Sequence, residues 1–302
     1  MNEPSFSQQQ RLLVMVCGAA RSGTTMLDLM LGNSDDNFSC GEVYAKFRPY
    51  RKHHFDPVCG CGAKDCSIWV GLKDVSEQNF HPALFAQTGA KAVIDSSKNL
   101  NWVLDSNDWA QANDLPIINI LIWKDAKDLA HSHWKRGNPI SHFRGQFLKY
   151  YERFLDLDLP FLSVRYSQLA EDSQGTLVSI CNLLGLDYAD RQENFWQQSN
   201  HQLFGSGGVQ KQMDSGQSKI KAPQEYPAEF EAAYADYCAQ HMPDKQLDRV
   251  LELIEAQDLK HQSKMPAAVI TGRRTRPFWY RRNALKQLFQ SYFPGPPPPT
   301  NT

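Results

Sequence analysis

The sequence is poor in the features that would mark a specialised chain. Its 302 residues include only seven cysteines: Cys17, Cys40, Cys59, Cys61, Cys66, Cys181 and Cys238. An odd, sparse set with no export signal before it argues against a disulfide framework. No apolar run approaches the roughly 18 residues that a membrane span needs. The first ten residues, MNEPSFSQQQ, lack the charged-then-apolar layout of a signal peptide and read as a disordered leader. An excess of one charge is also lacking. The 32 basic and 33 acidic side chains leave a net −1, so no overall basic excess marks a nucleic-acid binder. Apolar residues at 41% and charged residues at 22% are enough for a sizeable core. The expectation is a cytoplasmic globular chain of one large domain or two small ones.

One further absence is local. Residues 263–302 contain no Asp or Glu, yet carry Lys264, Arg273, Arg274, Arg276, Arg281, Arg282 and Lys286. A net −1 less these seven charges leaves the remainder at −8. Phe278, Trp279, Tyr280 and Phe289 interleave with the basic residues, and Pro294 to Pro299 is nearly unbroken proline. Such a tail suits peripheral contact with an anionic lipid surface, anchored by those aromatics. A helix packed on the domain, or a disordered end, is the plainer reading. The expected organisation is a leader over 1–10, a domain over 11–262 and this tail.

What is present is alternation. Arg11 to Cys17 is a continuous apolar run of the kind that forms a buried parallel strand. A glycine-bounded loop follows, then a helix with Met26, Leu27, Met30 and Leu31 at helical spacing, ending at Gly32. Further strands are expected at Lys91 to Ile94, Ile117 to Trp123 and Phe161 to Val164. Helices are expected from about Ala126 to Arg136 and near Gly175 to Leu184, the latter ended by Gly185. Strands alternating with helices predict an α/β fold with a mostly parallel sheet between helical layers, and ligands at the carboxyl ends of its strands.

The loop Gly18-Ala-Ala-Arg21-Ser22-Gly23-Thr24-Thr25 has P-loop glycine spacing, which makes an anion cradle at a helix N-terminus. The triphosphate version needs Gly-Lys-Ser/Thr, and here Thr24 stands in the lysine's place. Charge comes instead from Arg21, with hydroxyls from Ser22, Thr24 and Thr25. Guanidinium donors plus hydroxyls suit a compact phosphosulfate.

VCGAARSGTTMLDLML, CGEV, CGCGAKDCSIW, VIDSSKN, LIWKDAKDLAHSHWKRG and VRYSQLAEDSQGTLVSICNLLGLDY occur in that order between Arg11 and Leu259. Together they resemble the sulfotransferase family, most closely its bacterial branch. The resemblance implies a P-loop-like three-layer sandwich. It also implies 3′-phosphoadenosine 5′-phosphosulfate (PAPS) as co-substrate, no metal requirement, and a hydroxyl-bearing glycan, lipid or small molecule as acceptor. It assigns Arg21, Ser22, Gly23, Thr24 and Thr25 to the phosphosulfate, and Lys124 and Ser132 to the 3′-phosphate. Lys124 departs from the family's arginine and lacks its bidentate donors. Gly207, in HQLFGSGGVQK, falls in a loop expected to close over the nucleotide, with Gln210 or Lys211 where the family has arginine.

Sulfuryl transfer needs charge stabilised on the departing oxygen and a proton taken from the acceptor. Lys98, assisted by Arg21, is the candidate for the first task and Glu42 for the second. No histidine follows Lys98, whereas the phenol- and steroid-sulfating branch has one shortly after the corresponding lysine. His53 and His54 are weaker candidates.

The cluster Cys59-Gly60-Cys61-x₄-Cys66 has three readings: half a zinc site that Cys40, His53 or His54 would complete, a local disulfide, or packed thiols. The C-x-C spacing is atypical for zinc and favours packed thiols. Two other functions stay open, a Mg-dependent P-loop kinase and a non-catalytic nucleotide-binding domain of the same fold.

Overall fold

The computed structural model describes residues 11–197, 199–205, 209, 225–263 and 276–281. Five strands form one sheet: β1 (Leu12–Cys17), β2 (Asn37–Gly41), β3 (Ala92–Asp95), β4 (Ile117–Trp123) and β5 (Phe161–Arg165). Their order is β2-β3-β1-β4-β5, and every neighbouring pair is parallel. The helices are α1 (Thr24–Gly32), α2 (Tyr44–Phe47), α3 (Ser67–Gly71), α4 (Phe80–Thr88), α5 (Leu100–Ala112) and α6 (Ala126–Trp134). They continue with α7 (His142–Leu155), α8 (Tyr166–Glu171), α9 (Ser173–Leu184), α10 (Ala228–His241) and α11 (Lys245–Glu255).

All six residues of β1 are buried, because a central parallel strand is covered on both faces. Successive side chains alternate between two cores. Leu13, Met15 and Cys17 join Phe80, Val103, Phe143, Phe147 and Tyr151 on the face covered by α4 to α7. Leu12, Val14 and Val16 join Leu27, Met30, Leu177 and Ile180 on the face covered by α1 and α9. The three-layer α/β sandwich expected from the sequence is the fold observed.

Local chemistry sets the helix ends. Asn99 caps α5 by accepting from the amides of Asn101 at 3.0 Å and Trp102 at 3.1 Å. Asp172 caps α9 by accepting from Gly175 N at 2.8 Å, so that helix starts at Ser173 rather than near Gly175. The helix after β4 ends at Trp134, two residues before the expected stop.

Strand β2 was not foreseen. Its sequence, NFSCG, shows neither a continuous apolar run nor regular alternation. It pairs along its length with β3, at the sheet edge, where a register shift falls between Ser39 and Gly41, and its last residue, Gly41, also bridges to Leu203.

The segment 276–281 packs on the domain. Tyr280 is buried and donates its hydroxyl to Asp105, while Asn101 donates to the Tyr280 carbonyl at 3.3 Å. Arg276 pairs with Asp108 at 3.0 Å. Tyr280 therefore anchors the chain to its own fold and not to lipid, which corrects the expectation from sequence; Phe278 stays 82% exposed. Phe289, the proline run and the leader lie outside the described residues. Among the described residues no helix is long and apolar enough to cross a membrane.

Candidate active site

The loop, Glu42, Lys98 and Lys124 gather at the carboxyl ends of the strands. The Gly18–Gly23 loop leaves β1, Glu42 follows β2, Lys98 lies three residues beyond β3, and Lys124 follows β4. These four strands are neighbours, so their carboxyl ends form one continuous rim.

Close packing shapes the loop. A Cβ at Gly18 would lie 2.4 Å from Ser22 Oγ and 2.5 Å from the Ile122 carbonyl. Gly23 has φ 108°, and a Cβ there would lie 2.6 Å from the Tyr166 ring. Arg21 also has positive φ, at 77°, which costs a non-glycine residue and orients its side chain. Ser22 is fully buried and donates its hydroxyl to Ala19 O at 2.8 Å, so it closes the turn. Thr24 and Thr25 open α1, and the amides of Met26 and Leu27 donate to Gly23 O at 3.0 and 3.1 Å, which seats the loop's last glycine at the helix N-terminus.

Sequence reasoning missed three tyrosines. From α7, Tyr150 accepts from Gly18 N at 3.0 Å and Tyr151 accepts from Ala19 N at 3.3 Å. Tyr151 in turn donates to Ile122 O at 2.9 Å, which locks loop, helix and β4 together. The first two amides of the loop therefore meet tyrosine hydroxyls. Tyr166 forms the wall between Gly23 and Lys124, whose ammonium lies 3.7 Å from the ring centroid. No local spacing links these tyrosines to the loop.

The electrostatics favour an anion. Burial pushes the Lys124 ammonium down to about 8; nearby Asp128 resists the shift, while Arg21 and Lys135 add to it. Burial also lowers Arg21, reinforced by Arg136. Burial pushes His133 down to about 4, helped by His142, Arg21 and Arg136. Burial thus opposes positive charge here, Arg21 and Lys124 add some mutual repulsion, and an incoming phosphate would offset both effects. Ser132, on α6 between His131 and His133, is partly buried.

Glu42 and Lys98 meet directly, as a salt bridge with each side chain 22% exposed. Their surroundings are fixed from below. Glu42 N donates to Leu203 O at 2.8 Å, and Leu203 N donates to Cys40 O at 3.1 Å. Ser97 Oγ accepts from Tyr44 N at 2.9 Å. Asp28 lies beneath, fully buried, accepting from Ser96 at 2.5 Å and from Gln202 at 2.8 Å. Burial raises its carboxyl to about 7 against these hydrogen bonds.

His54 is spent on local structure. Its Nδ1 accepts from the amides of Tyr50 at 3.2 Å and Arg51 at 3.3 Å, and burial pushes the ring down to about 4. Its neighbour His53 packs edge-on against that ring. Gly207, Gln210 and Lys211 lie outside the described residues.

No family model matches the sequence, and no curated protein matches it. Solved structures do match. The sulfotransferase domain from the curacin biosynthetic pathway is 15% identical over 82% of this chain and 99% of that one, with a TM-score of 0.53. The sulfotransferase domain from the Synechococcus PCC 7002 olefin synthase is 15% identical over 78% and 98%, with a TM-score of 0.47. A mouse sulfotransferase complexed with PAP is 12% identical over 83% and 90%, with a TM-score of 0.37. The chain has the sulfotransferase fold: a five-stranded parallel sheet between helical layers, with its candidate site along the carboxyl rim.

Proposed function

We propose that this chain is a sulfotransferase that moves a sulfuryl group from PAPS to a hydroxyl of a glycan, lipid or small-molecule acceptor. One observation carries the reading. A glycine-bounded loop carrying Arg21, the buried ammonium of Lys124 and the Glu42–Lys98 pair stand side by side at the ends of four neighbouring strands. The donor set fits a nucleotide with anions at two ends. Arg21, Thr24, Thr25 and the α1 N-terminus suit the 5′ end, with Ser22 and Gly23 shaping the loop. Lys124 and Ser132 suit the 3′-phosphate. Thr24 in the lysine's place leaves triphosphate chemistry without its usual neutralising ammonium.

PAPS supplies an activated sulfuryl group with a good leaving group already attached. On this chain, Glu42 takes the proton from the acceptor hydroxyl. Lys98 steadies negative charge as it grows on the departing phosphate oxygen. An ammonium has three donors, so Lys98 can hold Glu42 and still reach an anion. The working unit is residues 11–262, onto which 276–281 dock. The basic, acid-free sequence of residues 263–302, with Phe278 exposed and Tyr280 no longer among its anchors, supports a peripheral contact with an anionic lipid surface.

The test is transfer from PAPS carrying labelled sulfate to a panel of hydroxyl acceptors, comparing wild type with Glu42→Gln. The reading predicts transfer that falls ~10²–10⁴-fold in the variant. It fails if the wild type neither binds nor consumes the donor.

A further inference from the structure

We propose that Cys59, Cys61, Cys66 and His201 form a structural zinc site that ties residues 199–205 to the strand end carrying Glu42. The four candidate ligand atoms lie within 4.8 Å of one another. His201 Nδ1 is 3.5 Å from Cys59 Sγ and 3.3 Å from Cys66 Sγ. Tetrahedral zinc, with bonds of about 2.3 Å to sulfur and about 2.0–2.1 Å to nitrogen, requires sulfur–nitrogen separations of about 3.5 Å. All three cysteines are free thiols. Three thiols converging on one imidazole give a closed ligand set for a soft, tetrahedral divalent ion, which suits zinc in a structural role.

The surrounding chain is shaped to bring these groups together. A Cβ at Gly60 would lie 1.9 Å from Asn200 Oδ1, so only glycine lets the Cys59–Cys61 turn lie against the second segment. Gly60 N donates to Gln202 O at 3.0 Å. Gly62, at φ 85°, turns the chain back, and its amide donates to Cys59 O at 2.8 Å. Trp69 Nε1 donates to the His201 carbonyl at 2.8 Å, fixing the histidine's backbone from outside the cluster.

This alters the reading taken from spacing alone, which favoured packed thiols and sought a fourth ligand in Cys40, His53 or His54. The Cys40 thiol donates to Ile94 O at 3.1 Å, in the core, and His54 is held by its own turn. His201 was missed because it lies 135 positions beyond Cys66.

Binding is a coordination exchange without redox change. Zinc displaces three thiol protons, accepts the lone pair of neutral His201 Nδ1, and leaves a site of net charge −1. Its effect reaches the candidate base through the backbone. Next to His201, Gln202 donates to Ser39 Oγ at 2.9 Å, and Leu203 O accepts from Glu42 N at 2.8 Å.

The test is zinc content of the full chain, purified under reducing conditions, for wild type, Cys66→Ser, His201→Ala and Cys238→Ser. The proposal predicts one zinc per chain in wild type and in Cys238→Ser, and near none in the other two. Cobalt replacement in the wild type guards against variants that do not fold. The expected signature is the visible absorption of a tetrahedral thiolate site, displaced by added zinc. The proposal is overturned if wild type neither contains nor takes up zinc, if zinc content is unchanged in Cys66→Ser and His201→Ala, if cobalt gives no thiolate signature, or if two of the three cysteines are found as a disulfide. None of these readouts depends on sulfuryl transfer, so this site and the proposed activity stand or fall separately.

Discussion

Lys98 and Glu42 are 56 positions apart in sequence, yet their side chains form a salt bridge across the ends of neighbouring strands β3 and β2. Each reaches the rim from a different loop, and each holds the other in place. Lys98→Ala is therefore expected to slow transfer by ~10²–10³-fold, through lost charge stabilisation and a loosened base. Lys98→Arg should recover part of that loss by keeping the pair. Initial rates at saturating donor check this; an unchanged rate in Lys98→Ala would remove Lys98 from the chemistry.

If Lys124 holds the 3′-phosphate as proposed, nucleotide binding should depend on pH. Its ammonium is depressed to about 8, so it is charged below that pH and neutral above it. Once the phosphates are fully ionised, above about pH 7, affinity for adenosine 3′,5′-bisphosphate should hold until about pH 8 and then weaken by up to about tenfold per pH unit. Lys124→Arg, which stays charged, should flatten the profile. The stability effect has the opposite sense. The folded value lies below the ordinary 10.5, so this group opposes folding at neutral pH, and the penalty lifts between about 8 and 10.5. Titration calorimetry from pH 6 to 10 reads the affinity.

Two glycines should respond in opposite directions. Gly23→Ala places a Cβ against Tyr166 at φ 108°, at a cost on the order of 1–3 kcal/mol, and should also weaken bisphosphate binding. Gly145 lies inside α7 with nothing within 4 Å of an added Cβ, so Gly145→Ala should stabilise by ~0.5–1 kcal/mol. Urea unfolding of both variants checks the signs.

Much of this fold was legible because its central strands are continuous apolar runs. LLVMVC and IINILIW can hardly be anything but buried strands next to glycine-rich or charged stops. β2 was not legible, because an edge strand containing Asn37, Ser39 and Gly41 has no periodic signature. The loop, Glu42, Lys98 and Lys124 could be read because each follows directly on a strand or motif. Tyr150, Tyr151 and His201 could not, because they act from 132 to 142 positions away. Their roles arise from tertiary packing, and single-residue spacing carries no trace of it.

Asp28 is a buried acid whose carboxyl is raised to about 7 from an ordinary 3.8. Its folded state holds a proton that the unfolded chain gives up. The stability it contributes is complete below about pH 4 and is lost as pH rises toward 7. Among the described residues its Oδ1 has no hydrogen-bond partner. Asp28→Asn removes the charge and should raise the melting temperature at pH 8 more than at pH 5. A gain of equal size at both pH values would show that ionisation is not the cause.

Thermal unfolding with adenosine 3′,5′-bisphosphate, and no added magnesium, tests the central claim most directly. A ligand bound to the folded state stabilises it by RT ln(1 + [L]/Kd), about 2.7 kcal/mol at a hundredfold excess over Kd. The account predicts a concentration-dependent rise in melting temperature for wild type that is lost in Arg21→Ala. No rise with the bisphosphate, together with a rise on ATP and magnesium, would contradict it.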